Sequence, residues 1–113
     1  MANSNSPEYQ TIVKLTPELT NAFKNDLVNL SDELFAEGLI SSDNAANLKN
    51  PHNGANHRAS SLIAWIRNRI QLDPENNYLA FIKVLKRRLA DHKSILKCLD
   101  EKYKELGELI DAA

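Results

Sequence analysis

The side chains that could carry catalysis or bind a metal are few and scattered. His52 and His57 lie five residues apart in a turn-rich segment, and His92 and Cys98 lie in a later, helix-like region. Neither arrangement has the ligand spacing of a zinc site, and no nucleophile, base and orienting acid share a recognisable spacing. No glycine-rich phosphate loop occurs. The sequence therefore predicts a protein that is not an enzyme and uses no metal or cofactor.

Arginine and tryptophan give a clearer signal in the stretch WIRNRI, which runs from Trp65 to Ile70. At about 100° per residue, Arg58, Trp65 and Arg69 lie on one line beside the apolar face of a helix, with Arg67 near the opposite edge. These residue types are enriched where proteins bind each other. The alternative is that Trp65 fills a groove of the core while the arginines extend into water.

Acidic and basic residues are separated along the chain, although the formal net charge is only -1. Between Asp26 and Asp43 there are acids and no lysine or arginine; between Asn44 and Leu72 there are bases and no acid. The members are Asp26, Asp32, Glu33, Glu37 and Asp43 for the acidic block, and Lys49, Arg58, Arg67 and Arg69 for the basic block. Repulsion within the acidic block would suit a surface that binds a basic partner, or simply a solvated acidic face.

Composition indicates one soluble domain. The chain has 113 residues, of which 42% are hydrophobic and 26% charged, and no apolar run approaches the roughly 18 residues of a membrane span. The first ten residues have neither the basic start nor the apolar stretch of a signal peptide. A single cysteine suits a reducing compartment. We therefore expect a cytoplasmic protein.

Apolar spacing predicts five or six short helices. Residues 1–15 are expected to be a flexible lead. A helix with Thr16 as its cap and Pro17 at its first position is expected to follow and to continue either as one bent helix or as two consecutive ones. Gly38 is expected to end this region in a left-handed conformation, and Ser41 or Ser42 to cap a short helix. No strand-like alternation appears, so the class is all-α.

The second half of the chain predicts three further helices. The first buries one apolar face and is stopped by Asp73 and Pro74, which begin the next; the last begins near Asp91 or Ser94. Residues 101–113 extend the last helix or start a linker. The apolar positions at helical spacing are Ala59, Leu62, Ile63, Ile66 and Ile70, then Tyr78, Phe81, Ile82, Leu85 and Leu89, then Ile95, Leu99, Tyr103, Leu106 and Ile110.

Residues 16–100 resemble a caspase recruitment domain, a branch of the death-fold superfamily. The resemblance lies in DELFAEGLISSDNAANL, in the apolar run from Ala59 to Ile66, and in the later positions Phe81, Leu85, Ile95 and Leu99. Trp65 departs from the family, which has an aliphatic residue near that position. The resemblance implies a six-helix Greek-key bundle that binds its own kind in apoptotic or innate-immune signalling.

In that family a basic surface on the first and fourth helices meets an acidic surface on the second and third helices of the next copy. Because the two surfaces differ, the contact is head-to-tail and can produce helical oligomers or filaments. Carried to this chain, the resemblance implies a basic face of Lys24, Arg58, Arg67 and Arg69, and an acidic face of Asp32, Glu33, Glu37 and Asp43, with Trp65 as an interface aromatic. The partner is the chain itself or another protein of the family.

Two other classes of function stay open. Lys83, Lys86, Arg87 and Arg88 form a short basic run that could contact nucleic acid, although such a run on a near-neutral domain is more often a solvated face or a second protein contact. A helical regulatory module that stays monomeric is the other alternative, because charge segregation permits assembly without requiring it.

Overall fold

The computed structural model describes residues 6–50 and 52–112, with the side chains of 89–91 and 109–112 outside that description. Every regular element in these ranges is an α-helix. The predicted all-α class is therefore confirmed. The helices are α1 (Pro7–Lys14), α2 (Thr16–Phe23), α3 (Leu27–Ala36), α4 (Ser42–Leu48), α5 (Ala55–Leu72), α6 (Pro74–Arg87) and α7 (Leu89–Ala112).

Helix α1 corrects the expectation of a flexible lead through residue 15; residues 1–5 lie outside the described ranges. The Ser6 hydroxyl accepts a hydrogen bond from the Tyr9 amide at 3.1 Å, and Pro7 occupies the first turn, which together start the helix. Ile12 is fully buried. The helix has only two turns and one fully buried large aliphatic side chain. Its sequence therefore lacks the repeated apolar spacing that would predict a helix.

A single residue, Leu15, separates α1 from α2. Thr16 was expected to cap α2, but its hydroxyl donates to the Ile12 carbonyl at 2.8 Å and no side chain caps that helix. The Leu15 and Leu19 amides continue the pattern of bonds to residues four earlier. The junction is therefore a bend in the chain, and not an independent helix start.

The next segment is two consecutive helices, the second of the two predicted possibilities. α2 ends at Phe23 and α3 begins at Leu27. Gly38 has φ 77°, which lies in the left-handed region of backbone angles. The Leu39 amide donates back to the Leu34 carbonyl at 3.0 Å, which is the hydrogen bond typical of an α-helix that ends at such a residue. Of the two candidate caps for α4, Ser41 is the one whose hydroxyl accepts the Asn44 amide.

The core brings together the faces that the apolar spacing predicts. All the predicted apolar positions of α5 are buried, as are Tyr78, Phe81, Leu85, Ile95 and Leu99, whereas Ile82, Tyr103 and Leu106 are only half-buried. The side chains of Leu89 and Ile110 lie outside the described residues. Phe23 and Phe81 meet edge to face with ring centroids 6.0 Å apart, which joins the two halves of the chain. Helix α5 packs against α1, α2, α4 and α6, and α7 packs against α1 and α6.

Helix α7 starts at Leu89, two to five residues before the predicted start. His92 has non-helical backbone angles (φ -126°, ψ 20°), so the helix is kinked where the sequence suggests a beginning. Beyond residue 100 the helix continues to Ala112, which is the first of the two predicted possibilities. Within the described residues, no helix combines the length and apolarity that crossing a membrane would require.

Candidate interaction surfaces

Trp65, Arg69 and Leu72 lie on one side of α5 at positions i, i+4 and i+7, and we call them the α5 surface. Trp65 is half-buried, Arg69 is exposed, and 73% of Leu72 is exposed to solvent. Arg69 forms no ion pair with any residue in the described ranges. An aromatic ring, an uncompensated guanidinium and an exposed leucine therefore share one helix face.

Two hollows flank Trp65 in the angle between α4 and α5. One has a volume of about 170 Å³ and is bordered by Asn47, His57 and Arg58 as well as by Trp65. The other, of about 270 Å³, includes Leu39, Ile40, Trp65, Arg69 and Leu72. Trp65 lines both depressions, and its buried part packs against the core.

The other predicted basic residues have different environments. Arg58 is half-buried and donates from Nε to the Asn53 carbonyl at 2.9 Å and from Nη1 to the Leu48 carbonyl at 2.7 Å, so it fixes the loop between α4 and α5. Arg67 and Lys24 are half-buried and, like Arg69, form no ion pair within the described ranges. Of the predicted basic face, Arg69 is therefore the most available.

Two residues of the predicted acidic face are compensated by α6 of the same chain. Arg87 donates from Nη1 to Glu37 at 2.8 Å, and its Nε lies 3.4 Å from Glu33. The hydrogen bond from Arg87 lowers the pKa of Glu37, helped by the nearby charge of Lys83 at 3.8 Å. The repulsion that the sequence suggested within the acidic block is thus relieved inside the fold.

The remaining two acidic residues lie further out. Asp32 forms a pair with Lys49 at 2.5 Å, and both side chains are well exposed. Asp43 is exposed and forms no ion pair with a described residue. Of the predicted acidic face, Asp43 is therefore the residue without an ion pair to a described residue.

Asp26, which the sequence placed in the acidic block but not in the site, anchors a largely buried network. Arg88 donates to both of its carboxylate oxygens, and His92 Nε2 lies 2.7 Å from Oδ2. Burial alone would raise the pKa of Asp26, but the hydrogen bonds from Arg88, Asn29 and His92 outweigh it and leave that pKa below its ordinary value. This network is structural, since His92 is only 2% exposed.

The basic run on α6 therefore has a different role from the one that the sequence suggested. Arg87 and Arg88 are engaged with α3, and only Lys83 and Lys86 extend mainly into solvent. The two arginines of the run therefore serve mainly to neutralise acidic residues of the same chain. Its spacing in sequence, 50 to 62 residues from its partners, gives no local signal of this pairing.

The scattered histidines and the cysteine are not brought together. His57 is exposed at the α4–α5 hollow, His92 lies inside the fold, and Cys98 is exposed on α7. In the described ranges, no three His, Cys, Asp or Glu side chains are grouped so that they could hold a metal ion.

Comparison with protein-family models, with curated proteins and with solved structures finds no match to this chain.

Proposed function

We propose that this protein is a protein–protein interaction module that associates with copies of itself, or with a related domain, through the α5 surface. The observation that carries the proposal is the placement of Trp65, Arg69 and Leu72 on one open helix face, with hollows on either side of the indole. Tryptophan and arginine are the residues that most often dominate the binding energy of an interface.

The arrangement of helices supports the death-fold part of the proposal. Only Leu15 separates α1 from α2, so the two count as one bent helix and the bundle then has six. In that numbering α5 is the fourth helix, and α3 and α4 are the second and third. The Greek-key topology, the likeness to a caspase recruitment domain and a role in cytoplasmic apoptotic or innate-immune signalling belong to this proposal.

The acidic face has fewer carboxylates available to a neighbouring copy than the sequence suggests. Glu33 and Glu37 are compensated by Arg87, and Asp32 is paired with Lys49, so the carboxylate of this face that has no ion pair with a described residue is Asp43. We propose that Arg69 of one copy meets Asp43 of the next. Such a head-to-tail contact need not close on itself, and where it does not close it builds filaments. Its charged component makes it weaker at high salt.

The two alternatives are less well supported. Nucleic-acid binding would need the basic run of α6, but Arg87 and Arg88 are occupied by carboxylates of α3. A monomeric regulatory module would need no contact between copies. It would, however, give no role to the uncompensated Arg69 and the exposed Leu72.

Trp65 is the only tryptophan, so its fluorescence reports directly on the α5 surface. On association the indole loses water, and we expect its emission to shift to shorter wavelength as protein concentration rises at low salt. Arg69→Glu should abolish this concentration dependence and raise the apparent Kd by at least about tenfold. Electron microscopy of the concentrated wild type should show filaments.

Lys93→Glu is the matched control. Lys93 is exposed on α7, so this substitution changes the net charge by the same amount as Arg69→Glu but at a site away from α5. It should associate like the wild type. The proposal fails if wild-type emission is independent of concentration, or if Arg69→Glu and Lys93→Glu behave alike.

A further inference from the structure

An open groove runs between α6 and α7, on elements that the α5 surface does not use. It has a volume of about 690 Å³, and its apolar lining includes Leu79, Ile82 and Leu96. One end is bounded by Tyr78 and Tyr103, whose rings stack with centroids 4.9 Å apart. Leu79 is 65% exposed. A groove of this length and composition suits the apolar face of a helix.

The groove is bordered by positive charge. Lys86 lines it from α6 and Lys97 from α7, and both are exposed without an ion pair to any described residue. The one acidic residue of the lining, Asp100, is engaged by Lys104 at 3.1 Å. A helix bound here would therefore carry a carboxylate between its apolar side chains.

The outer face of α3 has this pattern. Val28 is 53% exposed and Phe35 50% exposed, and they lie at i and i+7 with Asp32 at i+4 between them. The opposite face of α3 is buried in the core through Leu27, Leu30 and Leu34. Two large apolar side chains aligned on one helix face form a stripe, unlike the single exposed hydrophobic residues that are normal on a surface.

We infer that the outer face of α3 in one copy docks into the α6–α7 groove of a second copy. Val28 and Phe35 would cover Leu79 and Ile82, and Asp32 would lie between Lys86 and Lys97. The existing pair of Asp32 with Lys49 is no obstacle, since both partners are exposed and such pairs contribute little. Because a chain carries both the stripe and the groove, this contact is also head-to-tail.

The contact is independent of the proposed function, and the test keeps it so by placing Arg69→Glu in every chain used. One chain, labelled with ¹⁵N, also carries Val28→Asp, which leaves only its groove intact. An unlabelled second chain carries Leu79→Glu, which leaves only its α3 face intact. Both sites are exposed, and circular dichroism checks that each variant keeps its helical content.

Titration of the unlabelled chain should shift the amide signals of α6 and α7 around Leu79, Ile82 and Lys86 in the labelled chain, with saturation. Adding Lys86→Glu to the labelled chain should weaken binding about tenfold by removing a favourable charge contact. An unlabelled control chain with both Val28→Asp and Leu79→Glu should produce no shifts.

The inference is overturned if the groove signals do not move at millimolar protein, if shifts lie outside α6 and α7, or if the doubly blocked chain produces the same shifts. In those cases the groove has some other occupant or none. A failure of the α5 proposal would leave this experiment unaffected, because Arg69 is already reversed in both partners.

Discussion

Arg88 and Asp26, 62 residues apart in the chain, form a two-pronged pair: Nε donates to Oδ2 at 2.7 Å and Nη2 to Oδ1 at 2.9 Å. The pair ties the residue after α6 to the residue before α3. His92 adds a contact to the same carboxylate from α7. Three separated segments therefore depend on one aspartate.

Removal of this carboxylate should be costly. Asp26→Ala removes the carboxylate that accepts from Arg88 Nε and Nη2 and that contacts His92 Nε2, while Arg88 keeps its pair with Glu33 at 3.8 Å. We expect a loss of about 2–3 kcal/mol in the free energy of unfolding. Asp32→Ala is the matched control, since its partner Lys49 is exposed, and it should cost less than about 1 kcal/mol. Urea unfolding of both variants measures the difference; equal losses would show that the network does not stabilise the fold.

The same pair predicts how stability responds to acid. The pKa of Asp26 in the folded state lies below its unfolded value near 3.8, so the unfolded chain binds a proton first as the pH falls. The contribution of Asp26 is therefore complete above this pH and is lost as the pH drops through the folded pKa. Asp26→Asn should have a flatter stability profile below about pH 4. Urea midpoints measured from pH 5 to pH 2 test this, and parallel profiles for variant and wild type would contradict it.

Charge reversals on the acidic side should separate folding from association. Glu37→Arg places a cation beside Arg87 and Lys83, so we expect it to destabilise the fold itself. Asp43→Lys has no such neighbour among the described residues and should weaken self-association while the urea midpoint stays near that of the wild type.

Glu18→Lys is the control for Asp43→Lys. Both acids are exposed in the first turn of a helix, so both substitutions lose the same favourable interaction with the helix dipole. If the two variants associate equally, Asp43 has no special part in the contact.

A hydrogen bond from the Tyr103 hydroxyl to Glu8 at 2.6 Å links α7 to α1. This bond, together with burial, raises the pKa of Tyr103 to about 12. Tyr103→Phe leaves the buried Glu8 carboxylate without this donor and should lower the free energy of unfolding by about 1–2 kcal/mol. Tyr9→Phe is the control, because the Tyr9 hydroxyl makes no hydrogen bond to a described residue. Thermal unfolding that is the same for both variants would count against this anchoring of α1.

The elements that the sequence predicts well are those with a repeated apolar face. In α5 the burial of Ala59, Ile66 and Ile70 follows directly from helical spacing, and Gly38 identifies the end of α3 because few other residues adopt its positive φ. Helix α1 was missed because it is short and is stabilised by contacts with α7, over 90 residues away in the chain.

The charged residues were harder to assign for a similar reason. Helical spacing shows which face Glu33 and Glu37 occupy, but it does not show that Arg87 comes from α6 to compensate them. In the same way, Arg58 has the sequence signature of a surface arginine, yet two backbone carbonyls of the α4–α5 region hold it in place. Long-range pairing of this kind depends on how the helices pack, which periodicity does not encode.

Sedimentation velocity of the wild type and of Arg69→Glu, across protein concentration at low salt, tests the central claim most directly. The claim predicts that the wild type sediments faster as its concentration rises and that added salt reverses this. In chains that also carry Leu79→Glu, which blocks the α6–α7 groove, Arg69→Glu should remain a monomer while Lys93→Glu still assembles. A wild type that stays monomeric throughout, or an Arg69→Glu variant that assembles equally well, would contradict it.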